Sequence, residues 1–342
     1  MRFGLFGGAQ ADSADPAARP GQGFRDYIDF NIEAEALGYH SAFLVEHHFT
    51  GWSQVSATLN VLTWLAARTR TLRVGTAVMV LPWHNPVLLA EQAATLDLLS
   101  GGRLDLGIGK GYRYNEFNGF CIPMEEAEAR FDEAFDVMTK SWTSNERFSH
   151  HGRYWQFEDI VVEPRPAQNP HPPLWMAAGS PSSIRRVAER GGNLLLDQFA
   201  TADVIGARIA MFKTEVEARG RAFDPMSVAV ARDAYVAKDD ADRKAALARA
   251  ANVRRRTVEV SRAPDREGGS HILAYDHSDA GNEAAALYGN PDEIMTKLEA
   301  LRAAGVTYVL ANFGGNSRES LRRFAKEIAP GFSDSLRPAS GH

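Results

Sequence analysis

The feature that most constrains this chain is an alternation: short runs rich in β-formers are separated, again and again, by longer stretches of helical period. Strand-like runs fall at residues 2–6, 41–45, 72–81, 104–108, 174–177, 193–196, 227–236 and 308–311, which makes eight. Between and after them lie helical stretches at 24–37, 53–67, 86–99, 125–142, 182–190, 202–219, 241–260, 291–304 and 317–328. In the first of these Phe24, Tyr27, Ile28, Ile32, Ala36 and Leu37 recur at helical spacing and Gly38 supplies a stop. Pro82 ends the third strand, and Pro86 sits in the first turn of the helix after it. Strands that alternate with helices are expected to pair in parallel, and eight such units on 342 residues fit one closed α/β (β/α)8 barrel with insertions better than an open sheet. The expected organisation is a single barrel domain over 1–330, with residues 331–342 as a frayed tail. Two insertions interrupt it. Residues 148–162, with Tyr154, Trp155 and Phe157 around His150-His151-Gly152, read as a β-hairpin. Residues 261–283 are rich in Gly, Ser, Asp, His and Arg and have no period; a stretch of that length reads as a mobile functional loop or a plain surface excursion.

Composition narrows the partners. Hydrophobic residues make up 44% of the chain, enough for a large core, and 38 Lys+Arg against 43 Asp+Glu leave a net charge of -5. With no basic excess, nucleic acid and anionic membrane surfaces are not expected partners. The single cysteine, Cys121, allows no internal disulfide and no zinc ribbon, which fits a reducing cytoplasm. The apolar run at residues 1–8 is short and broken by glycine, unlike a signal peptide, and no window reaches the ~18 apolar residues of a membrane span.

In a barrel the loops after the C-terminal strand ends build the active site, so polar residues there carry weight. After strand two come Glu46, His47 and His48; two adjacent histidines on extended chain point to opposite sides, so one imidazole at most faces the mouth. Acid–base work by His47 is the best use of that position, beside a purely structural role that stays open for both. A metal site is not expected, because no other strand end offers a compelling ligand. After strand four, Gly107, Gly109 and Gly111 surround Lys110, glycines permitting close backbone approach and the lysine offering a cation. After strand five, Gly179-Ser180-Pro181-Ser182-Ser183 runs straight into a helix. Freed amides and serine hydroxyls there could cradle a phosphate, or Ser180 could simply cap the helix. Combined, these strand ends point to a phosphorylated planar cofactor lying across the mouth.

The motifs, taken in order, resemble those of the bacterial luciferase-like flavin-dependent monooxygenases. They are Glu46-His47-His48-Phe49-Thr50, the strand 74–82, residues 100–109 (Ser-Gly-Gly-Arg-Leu-Asp-Leu-Gly-Ile-Gly), Tyr114-Asn115-Glu116-Phe117 and Gly289-Asn290-Pro291-Asp292-Glu293. The resemblance implies a reduced FMN supplied by a separate reductase, and dioxygen reacting to a flavin hydroperoxide that oxygenates a small organic substrate, aldehyde-like or otherwise apolar. It gives His47 the acid–base duty on the peroxide. Ala77–Val78 would match a non-proline cis peptide beneath the flavin ring. Ser180 and Ser183 would receive the FMN phosphate, with Lys110 in place of an arginine near it. Gly109 stands where luciferases have a reactive cysteine and Gly179 where they have a glutamate that touches the flavin, so phosphate binding is retained and light emission is not implied. Phe6, Phe49, Trp83 and Tyr112 would line an apolar mouth that excludes water, closed by residues 261–283. The alternatives are a deazaflavin-dependent dehydrogenase that transfers hydride without dioxygen, a noncatalytic flavin-binding subunit, and a metal-dependent hydrolase at His47 and His48. The resemblance also implies a homodimer or heterodimer packed through the helices at 53–67 and 86–99.

Overall fold

The computed structural model describes residues 1–13, 15, 17–262 and 283–332. Most of the expected loop at 261–283 and nearly all of the tail at 331–342 lie outside the described residues.

Eight parallel strands close into a barrel. They run β1 (Arg2–Gly7), β2 (Ser41–Leu44), β3 (Arg73–Thr76), β5 (Leu104–Gly109), β8 (Leu174–Ala177), β9 (Asn193–Leu196), β10 (Val228–Val236) and β12 (Tyr308–Asn312). The ring closes where β12 returns to β1, with Arg2 opposite Tyr308 and Leu5 opposite Ala311. The expected third strand is two pieces: β3 ends at Thr76, the Ala77–Val78 peptide is cis, and β4 (Met79–Val80) resumes on β5. Glycines in β5 make that break fit. A Cβ on Gly107 would lie 1.8 Å from the Thr76 carbonyl oxygen, and one on Gly109 would lie 2.6 Å from Val78 Cγ2. The glycines expected to open space for a ligand thus first open space for the neighbouring strand.

Inside the ring Phe43, Trp175, Leu195, Ala229, Tyr308 and Leu310 form a closed plug, with half-buried Phe6, Ala77 and Val78 packed against it. The outer faces of the strands bury against helices in a second, larger core that includes Leu44, Leu62, Leu89, Leu106, Phe135, Ile184 and Phe324. Strands buried on both faces are why the segments read as continuous apolar runs rather than alternating ones. The helices are α1 (Gln22–Ala36), α2 (Thr58–Arg68), α3 (Pro86–Ser100), α5 (Ala127–Thr143), α6 (Pro181–Glu189), α7 (Ala202–Glu217), α8 (Asp240–Ser261), α9 (Pro291–Ala303) and α10 (Arg318–Arg323). Several start as their sequences dictate: Asn85 caps α3 ahead of Pro86, and Asn290 makes a reciprocal capping box with Glu293 at the start of α9.

Beyond shifts of a residue or two, four features differ from expectation. The helix foreseen from residue 53 begins at Thr58, because Val55 donates to the Ala9 carbonyl and accepts from His47, tying that segment to the barrel rim. A short helix α4 (Tyr114–Gly119) and a three-residue strand β11 (Leu287–Gly289) beside β10 were not foreseen; both are too short for their period to show. The closing helix loses its regular turn after Arg323 and continues as a π-helical segment, Phe324–Ile328. The hairpin is present as β6 (Phe148–His151) and β7 (Gln156–Ile160), lying between α5 and β8 and so on the side opposite the strand C-termini. Three backbone amides at its tip, from Arg153, Tyr154 and Trp155, donate to the Glu133 carboxylate of α5.

Candidate functional site

The two histidines after β2 diverge onto different carboxylates, as extended backbone requires. His47 Nδ1 lies 3.0 Å from Glu116 Oε1 of α4, and the same oxygen accepts the His48 backbone N–H at 2.9 Å. Glu116 is buried, and the His47 ring keeps 15% exposure with no described residue bonded to Nε2. A neutral imidazole in this setting donates Nδ1–H to the carboxylate and presents the Nε2 lone pair to the open side. Burial holds the His47 pKa below its ordinary 6.5; nearby Arg113 adds to that, and Glu116 works against it. His47 is therefore a neutral base at neutral pH.

His48 turns to Glu46, its Nε2 3.0 Å from Oε1. The same oxygen lies 2.7 Å from His84 Nε2, while Oε2 accepts the Val80 N–H at 2.8 Å. Burial by itself would raise the Glu46 pKa, yet hydrogen bonds from His48, His84 and Val80 take it down to about 2. Glu46 thus ties the tip of β2 to β4 just beyond the cis peptide. Sequence reading sets Glu46 beside the histidines without a role, and neither Glu116 nor His84 is among the expected site residues. His84 stands four residues past β4, a strand-end position that signals it, whereas the Tyr114-Asn115-Glu116-Phe117 motif by itself gives Glu116 no role. Among the described residues no group of three or more His, Cys, Asp or Glu side chains is placed to hold a metal ion.

Around these pairs the expected apolar residues fall into two groups. Phe6, Ala77 and Val78 cover the barrel plug and form the floor of the mouth. Phe49 and Trp83 belong to an aromatic cluster around His48 that also takes in Phe117 and Phe120, which sequence reading had not assigned. Trp83 stacks on Phe120 with centroids 5.2 Å apart, and Phe49 meets Phe120 at 4.9 Å. Tyr112 follows β5 and lies beside Arg113, whose guanidinium carbon is 5.8 Å from its ring centre.

At the end of β8 the serines form one cluster. Ser180 Oγ is 2.9 Å from Ser183 Oγ and 3.2 Å from Ser182 Oγ, with Gly179 buried just before them. Ser180 also caps α6 in a reciprocal box with Ser183, so the capping reading holds and the hydroxyls are nonetheless close enough to share one anion. Lys110 does not stand free for that anion: it is exposed and 3.1 Å from Glu128 of α5, which also pairs with Arg186 of α6. That chain of charges brings Lys110 toward α6, the side on which the serines lie.

Across the mouth, α8 packs against α4 and β10. Its Arg254 lies 3.0 Å from Asp233 Oδ2 and 4.4 Å from the Phe199 ring centre, and Arg256 lies over Trp52. Asn312 donates to Asp233 at 2.8 Å. Burial pushes the Asp233 pKa up, partly offset by Arg254 and Asn312. These groups come from β10, β12 and α8, and no local motif announced them.

An apolar floor, an imidazole at another strand end and a hydroxyl cluster at a helix start are the parts a phosphorylated ring cofactor needs, and the residues present fit one. Comparisons with known proteins give the family and the fold. The family model of luciferase-like monooxygenases matches residues 1–308. A Sinorhizobium fredii protein, y4vJ, is 33% identical over 64% of this chain and 62% of its own length. The oxygenase component of a flavin-dependent trigonelline monooxygenase from Acinetobacter baylyi is 27% identical over 98% of this chain and 96% of its own. An F420-dependent glucose-6-phosphate dehydrogenase from Amycolatopsis mediterranei is 27% identical over 90% and 94%. Among solved structures, the monooxygenase RslO1 from Streptomyces bottropensis superposes with a TM-score of 0.81 at 25% identity, over 97% of this chain and 100% of that one.

Proposed function

Since this chain belongs to the luciferase-like monooxygenase family, we propose that it is the oxygenase component of a two-component system, taking reduced FMN from a separate reductase and oxygenating a small organic molecule. Bound reduced FMN would supply the two electrons with which one atom of dioxygen enters the substrate and the other leaves as water. The observation that carries the reading is the Glu116–His47 pair, a neutral base held in one tautomer at a strand end. In this reading His47 Nε2 takes and returns the proton at the reacting centre, and Glu116 keeps the ring oriented. Phe6, Ala77 and Val78 support the ring face. Ser180 and Ser183, with the buried backbone of Gly179, hold the phosphate, and the Lys110–Glu128–Arg186 chain supplies positive potential beside it. The backbone at Gly109 passes under Val78 and contributes shape rather than a bond. The cluster of Phe49, Trp83, Phe117 and Phe120, with Tyr112, keeps water from the reacting centre. We place the protein in the cytoplasm as a dimer, whose contact would use the exposed Trp64, Leu88 and Leu99 of α2 and α3, apolar side chains that solvent alone does not favour.

The test is oxygen consumption by single-turnover mixing of protein carrying reduced FMN with aerated buffer and an organic substrate panel. Substrate-dependent uptake that falls ~100-fold or more in His47→Ala supports the reading. Tight binding of reduced F420 with hydride transfer, and no FMN-dependent oxygen uptake, would replace it with the dehydrogenase seen among the relatives. Bound reduced FMN with no substrate-dependent uptake, and no effect of His47→Ala, would mark a subunit that binds flavin without catalysing. The double variant Ser180→Ala/Ser183→Ala is expected to weaken FMN binding ~10-fold or more, measured by flavin fluorescence, with riboflavin affinity unchanged.

A further inference from the structure

Arg113, between β5 and α4, is 4% exposed, yet its guanidinium makes no ion pair among the described residues. Its Nη1 is buried with no hydrogen-bond partner, and among the described residues its one hydrogen-bond contact is the Tyr112 hydroxyl, 3.5 Å from Nε. The two buried carboxylates of the neighbourhood are engaged elsewhere: Glu116 accepts from His47 and the His48 amide, and Glu46 accepts from His48, His84 and Val80. Nor is Arg113 the only unsatisfied group on these strand ends. Trp83 Nε1, Asn115 Oδ1 and Gln54 Oε1, from the segment after β4, from α4 and from the loop after β2, are likewise buried without a partner.

A buried guanidinium is always charged, and leaving its donors unpaired out of water is costly unless an acceptor arrives. The group that matches it best is an oxyanion, because guanidinium carries a positive charge and offers donors only, in a flat fork that fits a carboxylate. Among the described residues no side chain supplies it, so the acceptor is assigned to a ligand. The position is on the strand-end side of the barrel, beside Tyr112 and near enough to His47 for its charge to act on that imidazole. We infer that Arg113 is the anchor for a substrate carboxylate, so that the molecule oxygenated here is an organic acid rather than a wholly apolar compound. The inference rests on the monooxygenase reading only for the word substrate; the anion subsite stands on Arg113 itself. Tyr112 forms the wall against which the acid's carbon skeleton lies, and the carboxylate fixes which carbon faces His47.

The experiment measures binding to the full-length protein without turnover. Benzoate, phenylacetate and short aliphatic carboxylates are titrated by calorimetry, each beside its carboxamide. At least one acid is expected to bind ~30-fold or more tightly than its amide. Arg113→Gln should remove that preference, and Arg113→Lys should keep part of it, since the charge remains and the fork is lost. Thermal melts in the absence of ligand show whether each variant is folded. The inference is overturned if every acid binds like its amide, or if folded Arg113→Gln keeps the preference. It is equally overturned if Arg113→Gln leaves acid binding intact and instead weakens reduced FMN, which would make the cation a partner of the cofactor. Failure of wild-type protein to bind FMN would defeat the flavin reading alone, leaving the acid-over-amide comparison to decide this one.

Discussion

At His47 the chemistry depends on which nitrogen carries the proton, and Glu116 decides that. Glu116→Gln keeps a hydrogen-bond acceptor near Nδ1 and removes the charge that raises the imidazole pKa, so the His47 pKa should fall further below 6.5. NMR titration of the ring reads that shift, and the acidic limb of the rate profile should move down with it; an unmoved or raised pKa would refute the pairing. The same depressed pKa has a stability consequence. The unfolded chain binds a proton at His47 as pH drops through 6.5 while the folded chain resists, so stability is lost from that pH down to the folded value. His47→Gln should therefore lose less stability than wild type in that window, measured by urea midpoints. Glu46 acts in the same direction at lower pH. Its carboxyl is held at about 2 against an ordinary 4.5, a contribution of about 3 kcal/mol that is whole above 4.5 and lost as pH falls toward 2. Glu46→Gln should lower stability by that order at pH 7, with the gap from wild type closing in acid. The residue types at 46–48 were legible as site material from their place after a strand. Their partners were not, because Glu116 and His84 lie 69 and 38 residues away from theirs along the chain, and only folding makes them neighbours.

Elements differ in how much of their geometry is local. Strand and helix identity follows from period, and starts such as Asn85-Pro86 or Asn290-Pro291 carry their own caps. Breaks are different. The interruption between β3 and β4 is accommodated by β5, where Gly107 admits the Thr76 carbonyl and Gly109 admits Val78. Gly107→Ala would bring a methyl against backbone that cannot turn aside, and we expect it to cost about 3 kcal/mol or more. Gly109→Ala meets the end of a valine side chain and should cost less, about 1–2 kcal/mol. Chemical denaturation of the two variants checks the order, and equal effects would mean that the glycines serve something other than this close approach. Short elements such as α4 and β11 escaped the reading because three to six residues do not display a period. Yet α4 is the element that supplies Glu116.

For the whole molecule, the closed ring is what turns separate strand ends into one mouth, and its helices leave an apolar strip on α2 and α3 outside that ring. Trp64 is 42% exposed, Leu88 54% and Leu99 66%. If this strip is the dimer contact, Leu99→Glu should shift sedimentation at micromolar concentration from dimer toward monomer without lowering the far-ultraviolet helix signal. A wild-type monomer would dismiss the contact. The chain's own order of residues determined the number of barrel strands, their parallel pairing and the loops that would face the mouth, because periodicity and strand-end position are properties of short stretches read in sequence. It also placed the serine cluster, whose members are three residues apart and meet on one helical turn. Tertiary structure alone decided which carboxylate each histidine holds, that Lys110 is already matched by Glu128, and that Arg113 is buried without an acceptor. Those are facts about charge and solvent at a point in space, and they exist only once distant segments have closed around it.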